Sequence, residues 1–395
     1  MKAILFALLF ISCCTISTLA QETNAITILK QVSQKLDALP SVSYQYIREM
    51  KYYADNYHSL DTAGVYMEFK SGLPMGLRFQ AEQRGGLFIY DGKMTINLDN
   101  KSLTVDTTII RSVKMMESNS FLYHSLAMIR NNLPLVILND SISKEASDTI
   151  VDGKKLISVR MEGAGMYLHA FKGINYFNEP GLRRPYFLLV DKQTLLPYQL
   201  IAKLVNGNDD RDFISVTYTN IRTKPAQPAS ASWSYATYQR KYKPYVEAPK
   251  IAVIKAGTSV PYFKYPVFNP IKADSLSLVE LKGKVVLLEF WFKSCGPCIK
   301  AMPHYKDLQQ KFGKDGFELV TINIEDPVAD IEFFYNKYLP NYKMLYNGLP
   351  LFESLGFEGC PSSLLVDSQG KAANTFFGFD QELIEKRISE LLKIK

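Results

Sequence analysis

The sequence predicts two domains of different class. One is a C-terminal α/β domain with a central mixed sheet flanked by helices; ahead of it lies a β-rich α+β domain, a curved antiparallel sheet or half-barrel with a helix. Three observations predict this. Lys284–Trp291 reads Lys-Val-Val-Leu-Leu-Glu-Phe-Trp, a nearly continuous apolar run of the kind buried on both faces of a sheet. Directly after it, Ile299, Met302, Tyr305, Leu308 and Phe312 recur close to a helical period. Between residues 42 and 218, short segments alternate apolar with polar and are parted by turn residues, as antiparallel strands do. A chain of 395 residues exceeds one typical core, which fits two domains.

The first domain, 21–222, opens with an amphipathic helix, Ile26–Leu39, whose Leu29, Val32, Leu36 and Leu39 share one face and which Pro40 ends. Strands are predicted at Val42–Tyr46, Val65–Phe69 and Met94–Leu98, with Asp91-Gly92 and Asp99-Asn100 as turns. A helical patch at Phe121–Leu133 interrupts them. Strands resume at Leu156–Met161, Tyr186–Val190, Tyr198–Leu204 and Phe213–Tyr218, with Asn206–Asp210 as a polar turn. Tyr44, Tyr46, Met67, Phe69 and Leu98 read as core. His58, His124 and His169 are scattered without metal-ligand spacing. Residues 223–250 are rich in Pro, Ala and Ser and then in Tyr and Lys, and read as an extended linker to the second domain, 251–395.

At the N-terminus, Lys2 precedes an apolar run from Ala3 to Ile11, and Thr18-Leu-Ala20 offers small residues to a signal peptidase. Residues 1–20 therefore read as a secretory signal peptide, placing the mature chain in the periplasm or cell envelope. A lipobox at Cys13 is the weaker alternative, because Phe10 fits it poorly. The run is too short to span a bilayer, which takes about 20 residues. The net charge of +7 is spread along the chain without a basic stripe, which argues against nucleic acid as a partner.

Cys295-Gly-Pro-Cys298 places two cysteines one helical turn apart at the predicted start of a helix. There the helix dipole and free backbone N–H groups favour a thiolate, so Cys295 is the candidate nucleophile. Cys298, further in, would attack the resulting mixed disulfide. Other uses of the pair fit less well. A structural zinc site needs a second pair of ligands, and a c-type haem site needs His where Ile299 stands. A peroxidatic cysteine would need Pro and Thr where Leu288 and Phe292 stand. Neither a metal nor a cofactor is predicted.

Four further residues sharpen this. Glu289 lies six residues before Cys295, Pro303 five after Cys298, and Gly359-Cys-Pro361-Ser-Ser-Leu-Leu-Val-Asp367 leads into the turn Asp367-Ser-Gln-Gly370. With the cysteine pair, these resemble thioredoxins, most closely the TlpA-like and ResA-like envelope branch of redoxin domains. The resemblance implies a thioredoxin-like fold, with Glu289 as the buried acid that takes the proton of the second cysteine. It makes Pro303 the proline of the active-site helix and Pro361 a cis-proline that faces the cysteines and binds the substrate backbone. Cys360 and Trp291 are assigned with Pro361 to the substrate side; Cys360 reads either as a small, buried, inert thiol or as a third thiol open to exchange with Cys295. There are departures: Ala301 stands where the branch often has Glu, and Ser294 where it often has Trp.

The activity implied is that of an exported thiol-disulfide oxidoreductase acting on disulfide-containing envelope proteins and recharged by a membrane thiol donor. Gly296-Pro297 is thioredoxin's own dipeptide, and thioredoxin sits at about −270 mV against about −120 mV for DsbA, which favours a reductase over an oxidant. In the first domain, Tyr90–Lys93, Phe187–Tyr198 and Val216–Ile221 resemble the LolA and LolB lipoprotein-carrier fold. That implies a lipid or peptide on its concave face, and the rival reading is a carrier whose redox domain is a docking module.

Overall fold

The computed structural model describes residues 24–393 apart from 117, 118, 120 and 248. The expected signal peptide, 1–20, with Cys13, lies outside the described residues. The chain divides into two compact units, the first closing at Val246 and the second running from Glu247.

In the first unit a helix over residues 24–37 (α1) precedes β1 (Ser41–Tyr52), β2 (Tyr57–Phe69), β3 (Leu77–Gln83), β4 (Gly86–Tyr90), β5 (Met94–Asp99) and β6 (Thr104–Ile109). Next come α2 (Leu126–Leu138), β7 (Ser143–Val151), β8 (Lys154–Glu162), β9 (Met166–Leu168) and β10 (Ile174–Tyr176). The unit ends with β11 (Leu182–Arg183), β12 (Tyr186–Asp191), β13 (Pro197–Asn206), β14 (Asp209–Arg222) and β15 (Lys243–Pro244). Hydrogen bonds join the strands in the order β15-β6-β5-β4-β3-β2-β1-β14-β13-β12-β8-β7. β11 pairs with β13, and β9 with β10 forms a separate ribbon.

Period-two alternation sorts the side chains to two faces. Val65 and Met67 of β2 join Tyr44, Tyr46, Phe79 and Tyr218 in one cluster, covered by Leu29, Val32 and Leu36 of α1 and Leu126, Met128 and Leu133 of α2. α2 begins where the Ser125 hydroxyl accepts the Met128 N–H, several residues later than the hydropathy of 121–133 implies. Tyr44 and Tyr218 meet edge to face, and the Tyr46 hydroxyl donates to the Tyr123 carbonyl at 3.1 Å. These side chains are packed core. Leu98, grouped with them on hydropathy, belongs to the opposite face with Tyr66, Ile89 and Ile96.

That opposite face corrects the expected linker. Trp233 and Tyr242 bury against Tyr66, Ile89, Ile96 and Leu98, and β15 pairs in parallel with β6. Gln80 donates to the Ser232 hydroxyl at 2.9 Å, and the Tyr242 hydroxyl donates to Asn100 at 2.6 Å. Residues 230–245 are therefore part of the first unit. The apolar area of two large aromatic side chains outweighs the loop character of the Pro-Ala-Ser run ahead of them.

The second unit contains β16 (Lys264–Val267), β17 (Asp274–Ser277), β18 (Val285–Trp291), α3 (Gly296–Phe312), β19 (Phe317–Asn323) and α4 (Val328–Tyr338). β20 (Lys343–Leu345), α5 (Leu349–Ser354), β21 (Ser362–Val366), β22 (Ala372–Phe377) and α6 (Gln381–Lys393) follow. The sheet order is β17-β16-β20-β19-β18-β21-β22, mixed as expected: β18, β19 and β20 run parallel, while β21 is antiparallel to β18. All seven residues of β18 are buried. Val285, Leu287 and Trp291 face a cluster that includes α3, α4 and α6, whereas Val286, Leu288 and Phe290 face the one containing α5. Gly370, at φ 83°, makes the turn between β21 and β22, where Asp367 accepts the N–H groups of Gln369 and Lys371.

Candidate active site

β18 delivers the chain to the site, and Lys293 just beyond it is pinned. The Lys293 N–H donates to Asp326 at 2.5 Å, and its ammonium reaches Asp330 at 2.7 Å. Asp326 also accepts from the Asn323 side chain at 2.7 Å, so the turn after β19 holds the loop after β18. Cys295 then takes the N-cap position of α3, with its sulfur 3.3 Å from the N–H of Cys298. Pro297 sits in the first turn, where its missing N–H costs nothing. A disulfide joins Cys295 to Cys298. Cys295 is 4% exposed and Cys298 fully buried, while Ser294, Gly296 and Pro297 around them are exposed. Both cysteines are thus buried, Cys295 retaining the small remaining exposure.

Glu289 is buried on the face of β18 that α3 covers. Desolvation raises its carboxyl to about 8, against smaller downward pulls from Tyr305 and Ser363. A carboxyl raised there can act as a proton acceptor or donor near neutral pH.

The Cys360–Pro361 bond is cis. Cys360 is half-buried and packs against the cluster that contains both active-site cysteines. Burial first, then the negative charges of Glu289 and Glu325, push its thiol up to about 12. Cys360 and Pro361 line an open groove with Ile251, Val253, Phe377 and Gly378.

Trp291 is a correction. Expected on the substrate side, it is 1% exposed, and its ring meets Phe334 edge to face at 5.3 Å. The cause is the parity of β18: Trp291 shares its face with Leu287 and is covered by α4. His304 stacks on Phe379, as a structural histidine would. Among the described residues, no group of three or more His, Cys, Asp or Glu side chains is placed to hold a metal ion.

Residues 256–380 match the model of the AhpC/TSA family. Thiol-disulfide oxidoreductase ResA of Halalkalibacterium halodurans is 27% identical over 128 residues, covering 32% of this chain and 73% of its own. ResA of Bacillus thuringiensis is 28% identical over 126 residues, covering 32% and 71%. The second unit carries an AhpC/TSA redoxin domain homologous to the ResA-type thiol-disulfide oxidoreductases. The chain is accordingly a thiol-disulfide oxidoreductase, with its cysteine pair at the start of α3. Among solved structures, the thioredoxin domain of a thiol-disulfide oxidoreductase from Bacteroides vulgatus is 24% identical, with a TM-score of 0.31 over 34% of this chain and 99% of that one. The family match starts at residue 256, so the lipoprotein-carrier likeness of the first domain rests on its own sequence segments.

Sequence reasoning named Cys295, Cys298 and Glu289, but missed the Lys293 clamp and the hydroxyl groups around Glu289. Thr321 in the apolar run Leu319–Ile322, and Ser362-Ser363 before Leu364, were the available signals: polar residues inside otherwise buried strands.

Proposed function

We propose that this oxidoreductase is exported and reduces the disulfides of cell-envelope proteins, a membrane thiol donor restoring its dithiol. The observation that carries the reading is the cysteine pair at the N-terminus of α3, with the inner cysteine fully buried and a buried acid on the sheet face beneath that helix. Reduced Cys295, as thiolate, attacks one sulfur of a client disulfide; the client S–S bond breaks and a Cys295–client disulfide forms. Glu289 takes the proton of Cys298, and the Cys298 thiolate attacks the Cys295 sulfur. The client leaves as a dithiol after protonation, two electrons richer, and the Cys295–Cys298 disulfide remains. The groove at Cys360 and Pro361 offers an apolar bed for the client segment.

Export is supported by the signal-like composition of residues 1–20. Among the described residues, no helix is long and apolar enough to cross a membrane. The test is redox equilibration of the purified chain against dithiothreitol, with the thiol state read by alkylation and mass. A potential near thioredoxin's, about −270 mV, is the expected result. A value above about −180 mV, in the range of isomerases and oxidants, would overturn the reductase reading. Trapping clients in cells with Cys298→Ser would identify them by mass spectrometry.

A further inference from the structure

Glu289 does not sit in a purely apolar pocket. Its register partners on the two adjoining strands are Thr321 on β19 and Ser363 on β21, so a row of three polar side chains crosses the centre of the sheet on the face that α3 covers. Tyr305 of α3, two turns beyond Cys298, is buried on the same face. The Tyr305, Thr321 and Ser363 hydroxyl oxygens are all buried without a hydrogen bond of ordinary geometry. Burying a hydroxyl away from water costs free energy, and three set about one buried carboxyl are hard to explain as packing. Leu or Val at these positions would fill the same space without that cost.

We propose that Tyr305, Thr321 and Ser363 form a hydroxyl cradle that positions Glu289 and governs its proton exchange with Cys298. The inference rests on Glu289 acting as the proton acceptor of the resolving step. In that step the Cys298 thiol loses its proton to the Glu289 carboxylate, and the cradle donates hydrogen bonds to the carboxylate so formed. Among the described residues, Tyr305, Tyr342 and Cys360 sense the charge of the acid, and none of these three is a cation. The hydroxyl groups are therefore the means of steadying the anion. The downward pull of Tyr305 and Ser363 on the acid agrees with this geometry.

The test uses the full chain with Tyr305→Phe, Ser363→Ala and Thr321→Val, alongside Glu289→Gln. Two readouts are needed: the pH dependence of mixed-disulfide resolution in single turnover, and titration of the Glu289 carboxyl by its infrared band in the oxidised protein. Loss of a donor to the carboxylate should move both midpoints upward by about one pH unit. At pH 8 that shift slows resolution about fivefold, as the ionised fraction falls from about half to about a tenth. Ser363→Thr, which keeps the hydroxyl, should restore the wild-type profile. A purely structural role would lower the melting temperature and leave both midpoints in place. If Tyr305→Phe does not fold, the two smaller strand substitutions carry the test. Unmoved midpoints in the variants that fold, with Glu289→Gln still slow, would overturn the cradle and leave the acid's role standing. Wild-type resolution in Glu289→Gln would overturn both.

Discussion

The backbone N–H of Cys298 lies 3.3 Å from the sulfur of Cys295, which caps the helix carrying both. In the reduced protein this contact, with the remaining free N–H groups of the first turn, favours negative charge on the outer sulfur and leaves the inner one to be deprotonated by a neighbour. The asymmetry between the two cysteines is thus a property of helix geometry and burial rather than of residue type.

Cys295→Ser should abolish dithiol-dependent reduction of a model disulfide. Cys298→Ser should retain the first attack and accumulate mixed disulfides. The check is mass spectrometry of quenched single-turnover reactions. Equal accumulation in the two variants would assign the nucleophile to the wrong sulfur.

Glu289 also makes stability depend on pH. Its folded value, about 8, is raised above the ordinary 4.5, so between those two pH values the native state holds a proton that the unfolded state has lost. Stability therefore falls as pH rises through that window, by about 1.4 kcal/mol per pH unit at most. Glu289→Gln should remove this slope and make the second domain more stable than wild type at pH 8. Denaturant melts at pH 5 and pH 8 measure it, and parallel losses in both proteins would assign the slope to other groups.

The first domain carries the opposite dependence. His124, buried and held neutral, has its imidazole lowered to about 3, mainly by burial and then by Arg48 and Arg184. Below pH 6.5 the unfolded chain gains a proton that the native state refuses, so stability falls as pH drops from 6.5 toward 3. His124→Asn, chosen because Asn tolerates the positive φ of 56° here, should flatten that loss. The chain has two tryptophans, Trp233 and Trp291. In a Trp291→Phe background the fluorescence of Trp233 reports the first domain alone. Identical acid limbs with and without His124 would discard the histidine as the cause.

How much of this was legible in the sequence follows from what each signal measures. The cysteine pair was readable because its chemistry demands a short fixed spacing within one local segment, whereas Glu289 and Pro361 were named only through the family resemblance. β18 was readable because a strand buried on both faces leaves an unbroken apolar run. The cradle was not, since Tyr305, Thr321 and Ser363 meet only through sheet register and helix packing across dozens of residues. Trp291 was misassigned because its nearness in sequence to Cys295 hid its parity on β18. The supposed linker was misread because Pro225, Pro228 and the serines outweighed Trp233 and Tyr242, whose partners on β2, β4 and β5 lie more than 130 residues upstream.

Cys360 tests whether a third thiol beside the site exchanges with it. It packs against the cluster holding Cys295, which argues for contact, but burial together with the charges of Glu289 and Glu325 holds its thiol near 12, which argues against a thiolate. The second effect decides the chemistry, because only the thiolate attacks a disulfide, and at pH 8 a thiol at about 12 is ionised to roughly one part in 10,000. In the oxidised protein, Cys360 should therefore react with iodoacetamide far more slowly than a free cysteine, and it should speed up once the chain is denatured. Peptide mapping after mild oxidation should yield Cys295–Cys298 alone, and Cys360→Val should leave the rate of mixed-disulfide resolution unchanged. Recovery of a Cys295–Cys360 peptide would instead make Cys360 a participant, and the groove that it lines with Pro361 would then hold a second resolving thiol.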